Sequence, residues 1–448
     1  MSRRRYVVCG LSNRGLASFV LPLLGGAVHD ADNGSLGFGA EREDLSAHGD
    51  VVGIVDPDQR RVEQFNAELL PAGRPPVPWF DPGDTDRMFT ELKPDAVIVT
   101  SPDHTHVDYI LAALARDVDV ITEKPMVTTA DQAARVLSAE QESQGSVRVT
   151  HNLRYTPRHR RIKELIRAGA VGRPVHVLLE YHVDIRHGAS YFLRWNRLRA
   201  RSGGLSVHKS THHLDLVSWW LDDAPERVFA LGGRYYYGSD SPHRPRDADQ
   251  IPYEGAALRE HDPYFQAQLG SGTFPSETGD RGGLFGLRYA HEYPAGADRY
   301  LYDDEIDIED TYTALVGYPG GAALSYSIGF SSPWEGYRVV VNGTHGQLES
   351  MSGRLPGGEP LPGGGVIVHR PLFGPADTIR PEAAHGGHDG ADPMLRRDLF
   401  VGPSALSTDL GLLASSIEGA QAVAAGEAIW RSIAEHRPVD VTELLGPR

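Results

Sequence analysis

Lysine is almost missing from this chain: four residues in 448, at Lys93, Lys124, Lys163 and Lys209, against 44 basic residues in all. Surface charge is left to arginine, so a lysine inside a motif stands out. Cysteine is rarer still. Cys9 alone excludes an intramolecular disulfide framework and fits a reducing compartment, so a cytoplasmic location is expected. No apolar run reaches 18 residues, which argues against a membrane-spanning helix. Neutral balance is lacking too. A formal net charge of −16 argues against nucleic acid or anionic membrane as a partner. Arg3-Arg4-Arg5 and the apolar residues after it look like the start of an export signal, but Gly10 to Gly15 cuts that stretch at once. A first strand, Tyr6 to Cys9, is expected instead.

What is present is a βαβ rhythm. At 448 residues the chain is too long for one ordinary core, so two domains are expected: 1–150 and 151–448. In the first, short apolar runs end at Cys9, Val55, Val99 and Thr122, with helical patterns such as Val107 to Arg116 and Ala130 to Gln141 between them. That alternation predicts a doubly wound parallel sheet, a Rossmann domain.

The run Val118 to Thr122 closes on Glu123-Lys124-Pro125. An ammonium at the carboxyl end of a parallel strand sits where α/β folds bind ligands. Its three donors and tunable pKa suit a hydroxyl that must lose a proton. Gly10-x-Ser12-x-x-Gly15 nearly matches the dinucleotide fingerprint, with Ser12, Asn13 and Arg14 at the turn and the helix start meeting a pyrophosphate. Asp56 ends the next strand, 41 positions after Gly15 rather than the usual ~20, because 25–50 reads as an insertion. A carboxylate there is expected to bind the adenosine ribose and favour NAD. Arg60 and Arg61 leave NADP open.

The second domain carries His208-Lys209-Ser210-Thr211-His212-His213-Leu214-Asp215, running into an apolar helix. Helical spacing puts 208, 212 and 215 on one face. The histidine pair has zinc spacing, but Lys209 stands where a supporting glutamate belongs, so no metal is expected. One of the pair is alternatively a satisfied core histidine. Arg154 and Tyr155, and His187, Trp195 and Arg197, are candidate substrate readers: sugars call for planar donors and an aromatic face. Val175 to Tyr181 and Thr311 to Ile328 read as strands. The acidic run Asp303 to Asp310 reads as a half-buried strand rather than a calcium loop. Stretches 239–283 and 355–390 read as long connections, with His385-Gly386-Gly387-His388-Asp389 either a pocket-edge loop or a turn.

Taken together, the glycine turn, Asp56, Ser101-Pro102-Asp103-His104-Thr105-His106, Glu123-Lys124-Pro125, Gly203-Gly204…His212-x-x-Asp215, Asn152-Leu153-Arg154-Tyr155 and Val341 to Glu349 resemble the Gfo/Idh/MocA family of nicotinamide-dependent sugar and polyol oxidoreductases. The resemblance covers most of the chain. It implies a C-terminal α/β domain with an open, mainly antiparallel sheet, a homo-oligomer, and a small sugar, glycoside or cyclitol as substrate. It places Ser101, Pro102, His106, Glu123 and Lys124 at the cofactor, makes His212 the general base or acid, and puts an aspartate where His208 stands. His208 is then a substrate ligand or a partner in the proton work, beside Lys209. The implied activity is hydride transfer between a ring hydroxyl and the nicotinamide. Redox-assisted glycoside cleavage, without net NADH, is the rival enzyme reading. A cofactor-binding sensor without turnover is the rival from another class.

Overall fold

The computed structural model describes residues 3–25, 43–70, 73–245, 260–269, 299–355, 357–362, 364–382 and 387–446. The expected insertions at 25–50 and 239–283 lie largely outside these residues, and the His385–Asp389 cluster lies outside the described side chains. Among the described residues there are two compact units. One comprises 3–160 and 382–423, the other 161–381 and 424–446. The expected second domain, 151–448, includes residues 382–423. They cluster with the first because Ala414–Ser415 adds a strand to its sheet.

The first unit is built on a seven-stranded sheet. Its strands are β1 (Arg4–Cys9), β2 (Gly49–Val55), β3 (Trp79–Phe80), β4 (Ala96–Val99), β5 (Asp119–Thr122), β6 (Val147–Val149) and β15 (Ala414–Ser415). The order is β15-β6-β5-β4-β1-β2-β3. All neighbours are parallel except β15 against β6. Every residue of β4 is buried, as expected for a strand covered on both faces by helices. The order reverses between β1 and β4, and the crevice outside the strand ends at such a reversal is where α/β sheets take ligands.

The second unit holds β7 (Pro174–Asp184), β8 (Arg227–Gly233), β9 (Thr311–Gly317), β10 (Ala323–Ser332), β11 (Glu335–Gly343), β12 (Gly346–Arg354), β13 (Ile367–Pro371), β14 (Asp377–Ile379) and β16 (Val439–Asp440). They form one sheet in the order β14-β13-β12-β11-β7-β10-β9-β8-β16. Only the β7–β10 pairing is parallel, so the expected open, mainly antiparallel sheet is found. The helix Thr211–Leu221 packs on β7, and the helix Ile185–Phe192 packs on β10. A Cβ on Gly188 would lie 1.7 Å from the carbonyl oxygen of Phe330, so only glycine lets that helix sit so close to β10.

Two expectations fail here. The 355–390 stretch is not simply a connection, since it holds the β13–β14 hairpin. Asp303 to Asp310 is not a strand. Ile306 and Ile308 are buried in alternation, but no ladder forms before Thr311. Instead Arg197 pairs with Asp303 and Glu305, and Arg199 with Glu309.

Candidate active site

The candidate cofactor-binding residues lie in the first unit. Gly10 has φ +90°, and a Cβ there would lie 2.5 Å from the Cα of Ser101, so the turn after β1 rests directly on the turn after β4. Thr100 Oγ1 donates to the Gly10 carbonyl at 2.6 Å and locks the two turns together. Ser12 Oγ accepts from the Gly15 N–H at 3.0 Å. It is a helix N-cap, and that is how the chain does without the middle glycine of the fingerprint. A helical run then continues through Asn13–Gly15, Leu16–Val20 and Leu21–Leu24, its middle in π geometry.

Arg14 is committed elsewhere. Its guanidinium donates to Glu123 at 2.9 Å and to Asp392 at 2.7 Å. Burial opposes its charge, but these two carboxylates outweigh it and hold the group above the ordinary arginine range. Glu123 therefore anchors Arg14, which keeps the turn after β5 tied to the glycine turn. His106 braces the same turn. Its Nδ1 is 3.0 Å from the Pro125 carbonyl and its Nε2 2.8 Å from the Ser101 carbonyl. Lys124 sits half-buried at the end of β5, joined to Pro125 by a cis peptide bond.

Asp56 departs from expectation. It is fully buried, with one oxygen accepting from Leu11 N–H at 2.8 Å and the other from Asp58 N–H at 2.9 Å. Arg61, also buried, donates to it at 3.1 Å. The carboxylate thus knits the glycine turn to β2 and is not presented to a ribose. The glycine turn and the strand ends fit a dinucleotide; Asp56 does not fit the ribose role given to it.

Arg154 and Tyr155 are likewise interior ties rather than substrate readers. Arg154 is buried, pairs with Glu418 at 2.7 Å and donates to the Gly411 carbonyl. Tyr155 donates to Asp398 at 3.0 Å. Arg197 is fully buried on Asp303 and Glu305 and leaves the substrate list for the same reason.

The second unit gathers the remaining candidates. His208 ends the short helix Leu205–His208, and His212 lies in the first turn of the helix Thr211–Leu221. The two are not on one unbroken helix. His212 N–H reaches the Lys209 carbonyl, not that of His208. Ser210 pins the interruption, its hydroxyl bonded to Tyr312 at 2.7 Å and Tyr326 at 2.8 Å. The satisfied core histidine is neither of the pair but His213, buried and bonded to Tyr326 at 2.8 Å. His208 lies half-buried, 3.2 Å from Asn196 Nδ2 and edge-on to Trp195 and Tyr191, each 5.6 Å between ring centres. Lys209 Nζ stands 5.1 Å from the Tyr181 ring centre. Burial pushes its ammonium pKa down and Glu335 opposes the shift.

Glu335 is the residue the sequence reading missed. It opens β11, accepts from Asp184 N–H at 2.7 Å and meets His187 Nδ1 at 3.0 Å. Its only sequence signal is an acid at the mouth of a buried strand. Among the described residues, no group of three or more His, Cys, Asp or Glu side chains could hold a metal ion. No described helix is long and apolar enough to cross a membrane.

Comparison with known proteins decides the family. Residues 5–151 match the family model described as the NAD-binding Rossmann fold of an oxidoreductase family, and residues 163–441 match its C-terminal alpha/beta domain. The chain belongs to the Gfo/Idh/MocA oxidoreductase family. Residues 5–151, in its first unit, are the family's NAD-binding domain, and the protein is an oxidoreductase of a sugar and polyol family. The chain is 42% identical over 453 residues to YteT of Bacillus subtilis (strain 168), whose designation as an oxidoreductase is provisional, covering 99% of each chain. It is 30% identical over 192 residues to an inositol 2-dehydrogenase of Rubrobacter xylanophilus, covering 41% of this chain and 48% of that one. A solved levoglucosan dehydrogenase, in complex with NADH and L-sorbose, shares the fold at a TM-score of 0.63 and 15% identity, covering 99% of this chain and all of that one.

Proposed function

We propose that this Gfo/Idh/MocA oxidoreductase moves a hydride between NAD and a ring CH–OH carbon of a sugar, glycoside or cyclitol. The observation that carries the reading is Lys124, held at the carboxyl end of β5 in a turn braced by His106. The names of its relatives, inositol 2-dehydrogenase and levoglucosan dehydrogenase, support the substrate class. The nicotinamide, when bound, supplies the two-electron chemistry. The amides at the start of the helical run and the turns at Gly10 and Ser101 hold its phosphates and ribose. Lys124 donates to the substrate oxygen and stabilises developing alkoxide charge. His212 takes the hydroxyl proton on oxidation and returns it on reduction.

NAD is the proposed cofactor because residues 5–151 match a model described as NAD-binding, while the buried Asp56 gives no ground for preferring it to NADP. A homo-oligomer is inferred from Phe229 and Leu315, paired across β8 and β9 and exposed on the open side of the sheet. Light scattering of the purified protein checks that inference, and a monomer sinks it.

The test of the activity is absorbance at the NADH wavelength across a panel of sugars, glycosides and cyclitols. Growth with at least one member, abolished in Lys124→Ala, is expected. No change with any member, in either direction and with either cofactor, overturns the reading.

A further inference from the structure

We propose that Glu335, His187 and Tyr191 form a second proton-handling unit in the second unit of the fold, with the Tyr191 hydroxyl as the atom that meets a substrate oxygen. This deepens the sugar-oxidoreductase reading and rests on it.

Three bonds in sequence carry the inference. His187 and Tyr191 stand four residues apart on the helix Ile185–Phe192, so they share a face. Their rings stack at 5.1 Å, and Tyr191 Oη lies 2.9 Å from His187 Nε2. His187 Nδ1 lies 3.0 Å from Glu335 Oε1, on a different element. The second Glu335 oxygen is already filled by the Asp184 N–H at 2.7 Å.

Charge fixes the direction of those bonds. Burial pushes the Glu335 carboxyl up, but His187, Lys209 and the Asp184 amide outweigh it and hold the group below its ordinary value. An ionised Glu335 has no proton to give, so His187 Nδ1 is the donor. In the neutral imidazole Nε2 is then the acceptor, and Tyr191 donates to it. Carboxylate, imidazole and hydroxyl in that order is an arrangement that draws a proton off a hydroxyl.

Exposure separates this chain of bonds from a structural one. The His213–Tyr326–Ser210 network of the same unit is wholly buried. The His187 side chain is 41% exposed and that of Glu335 28%. Tyr191 also lies edge-on to His208 at 5.6 Å between ring centres, which puts its ring beside a candidate substrate group. The other charged or titratable groups facing the unit are Lys209, Asp184, His208 and Tyr181, whose hydroxyl is 3.5 Å from Glu335.

The step balances without a further reactant. A second substrate hydroxyl, not the one that His212 deprotonates, passes its proton to Tyr191 Oη while the Tyr191 proton passes to His187 Nε2, and takes it back once the hydride has left. The resulting imidazolium faces the Glu335 carboxylate. Reduction runs the same transfers backwards. Tyr191 is the catalytic residue of the unit, and His187 and Glu335 are positioning residues that act through it.

The experiment uses full-length protein and a substrate found in the panel above. Tyr191→Phe is expected to lower kcat by about 100-fold, the low end for a positioned acid–base group, with KM within about three-fold. Glu335→Gln is expected to lower kcat in the same direction with less effect, and NAD binding by fluorescence is expected to be unchanged in both. A rise in KM at unchanged kcat in Tyr191→Phe overturns the proposal, as does no change in either constant. A second measurement needs no turnover. Histidine nitrogen NMR, with His187 assigned by its loss in His187→Asn, is expected to show Nδ1 protonated and Nε2 bare. The opposite tautomer overturns the proposal. A wild-type protein inert to the whole panel sinks the sugar-oxidoreductase reading, and the tautomer then decides the hydrogen-bond order by itself.

Discussion

Arg14 donates a hydrogen bond to Asp392 at 2.7 Å, although 378 positions separate them in sequence. Asp392 is almost wholly buried there, and the Arg14 side chain is 19% exposed. The bond closes the C-terminal segment onto the glycine turn, so a residue far from any cofactor motif steadies the cofactor half.

Asp392→Asn is therefore expected to destabilise the first unit. A buried charge that loses its partner costs several kcal/mol, and Glu123 remains to compensate, so the loss should be about 3 kcal/mol at most. NAD affinity should fall with it. Thermal unfolding with and without NAD checks this, and an unchanged Tm contradicts it.

Asp56→Ala gives a second test. The carboxylate ties Leu11, Asp58 and Arg61 together inside the fold. Its removal leaves the Arg61 guanidinium buried without that partner, so NAD and NADP binding should weaken together and stability should drop. Had Asp56 read the ribose, NAD would weaken selectively. Parallel titrations of the two cofactors distinguish these outcomes.

The proposed roles of the other site residues separate by kinetics. Lys124→Ala should cut kcat by orders of magnitude while NAD affinity stays within a few-fold, since the lysine acts on the substrate oxygen. His212→Ala should abolish hydride transfer. His208→Ala, which removes a ring seated between Asn196, Trp195 and Tyr191, should mainly raise KM. An active His212→Ala enzyme beside a dead His208→Ala one would exchange the two assignments.

His159 gives a pH prediction. It is buried, and desolvation pushes its pKa down to about 3 despite its hydrogen bond to the Leu153 carbonyl. The unfolded chain takes up its proton near pH 6.5, the ordinary histidine value, while the folded chain resists until far lower. Between those values the unfolded state binds more protons, so stability falls as pH falls through that window. The slope from this one group approaches about 1.4 kcal/mol per pH unit. Denaturant midpoints for wild type and His159→Gln across pH 4 to 7 check it, and parallel curves would refute it.

How much of this was legible in the sequence depended on where each residue's partner lay. The strand ends at Cys9, Val55, Val99 and Thr122 are readable because short, largely buried parallel strands leave compact apolar runs. Glu123-Lys124-Pro125 was readable because it follows such a run. Arg154 was misread because Glu418, its partner, gives no local sign of the pairing. Asp303 to Asp310 mimicked a strand because Arg197 and Arg199, from a distant segment, draw its acids outward and leave Ile306 and Ile308 inward. The helix through His208 to His212 looked continuous because nothing in Lys209-Ser210 announces that Ser210 will be claimed by two tyrosines. Glu335 belongs to no motif. It matters only because β11 begins where β7 ends and the helix Ile185–Phe192 starts, a coincidence of topology.

The absence of a side chain at Gly188 has a consequence for how this enzyme can diverge. The helix bearing His187 and Tyr191 meets β10 where Gly188 faces the Phe330 carbonyl, with no room between them for a side chain. A single methyl group at 188 must raise that helix. Substrate preference can be retuned through the residues around the two rings. Their distance from the sheet is inherited as a fixed dimension.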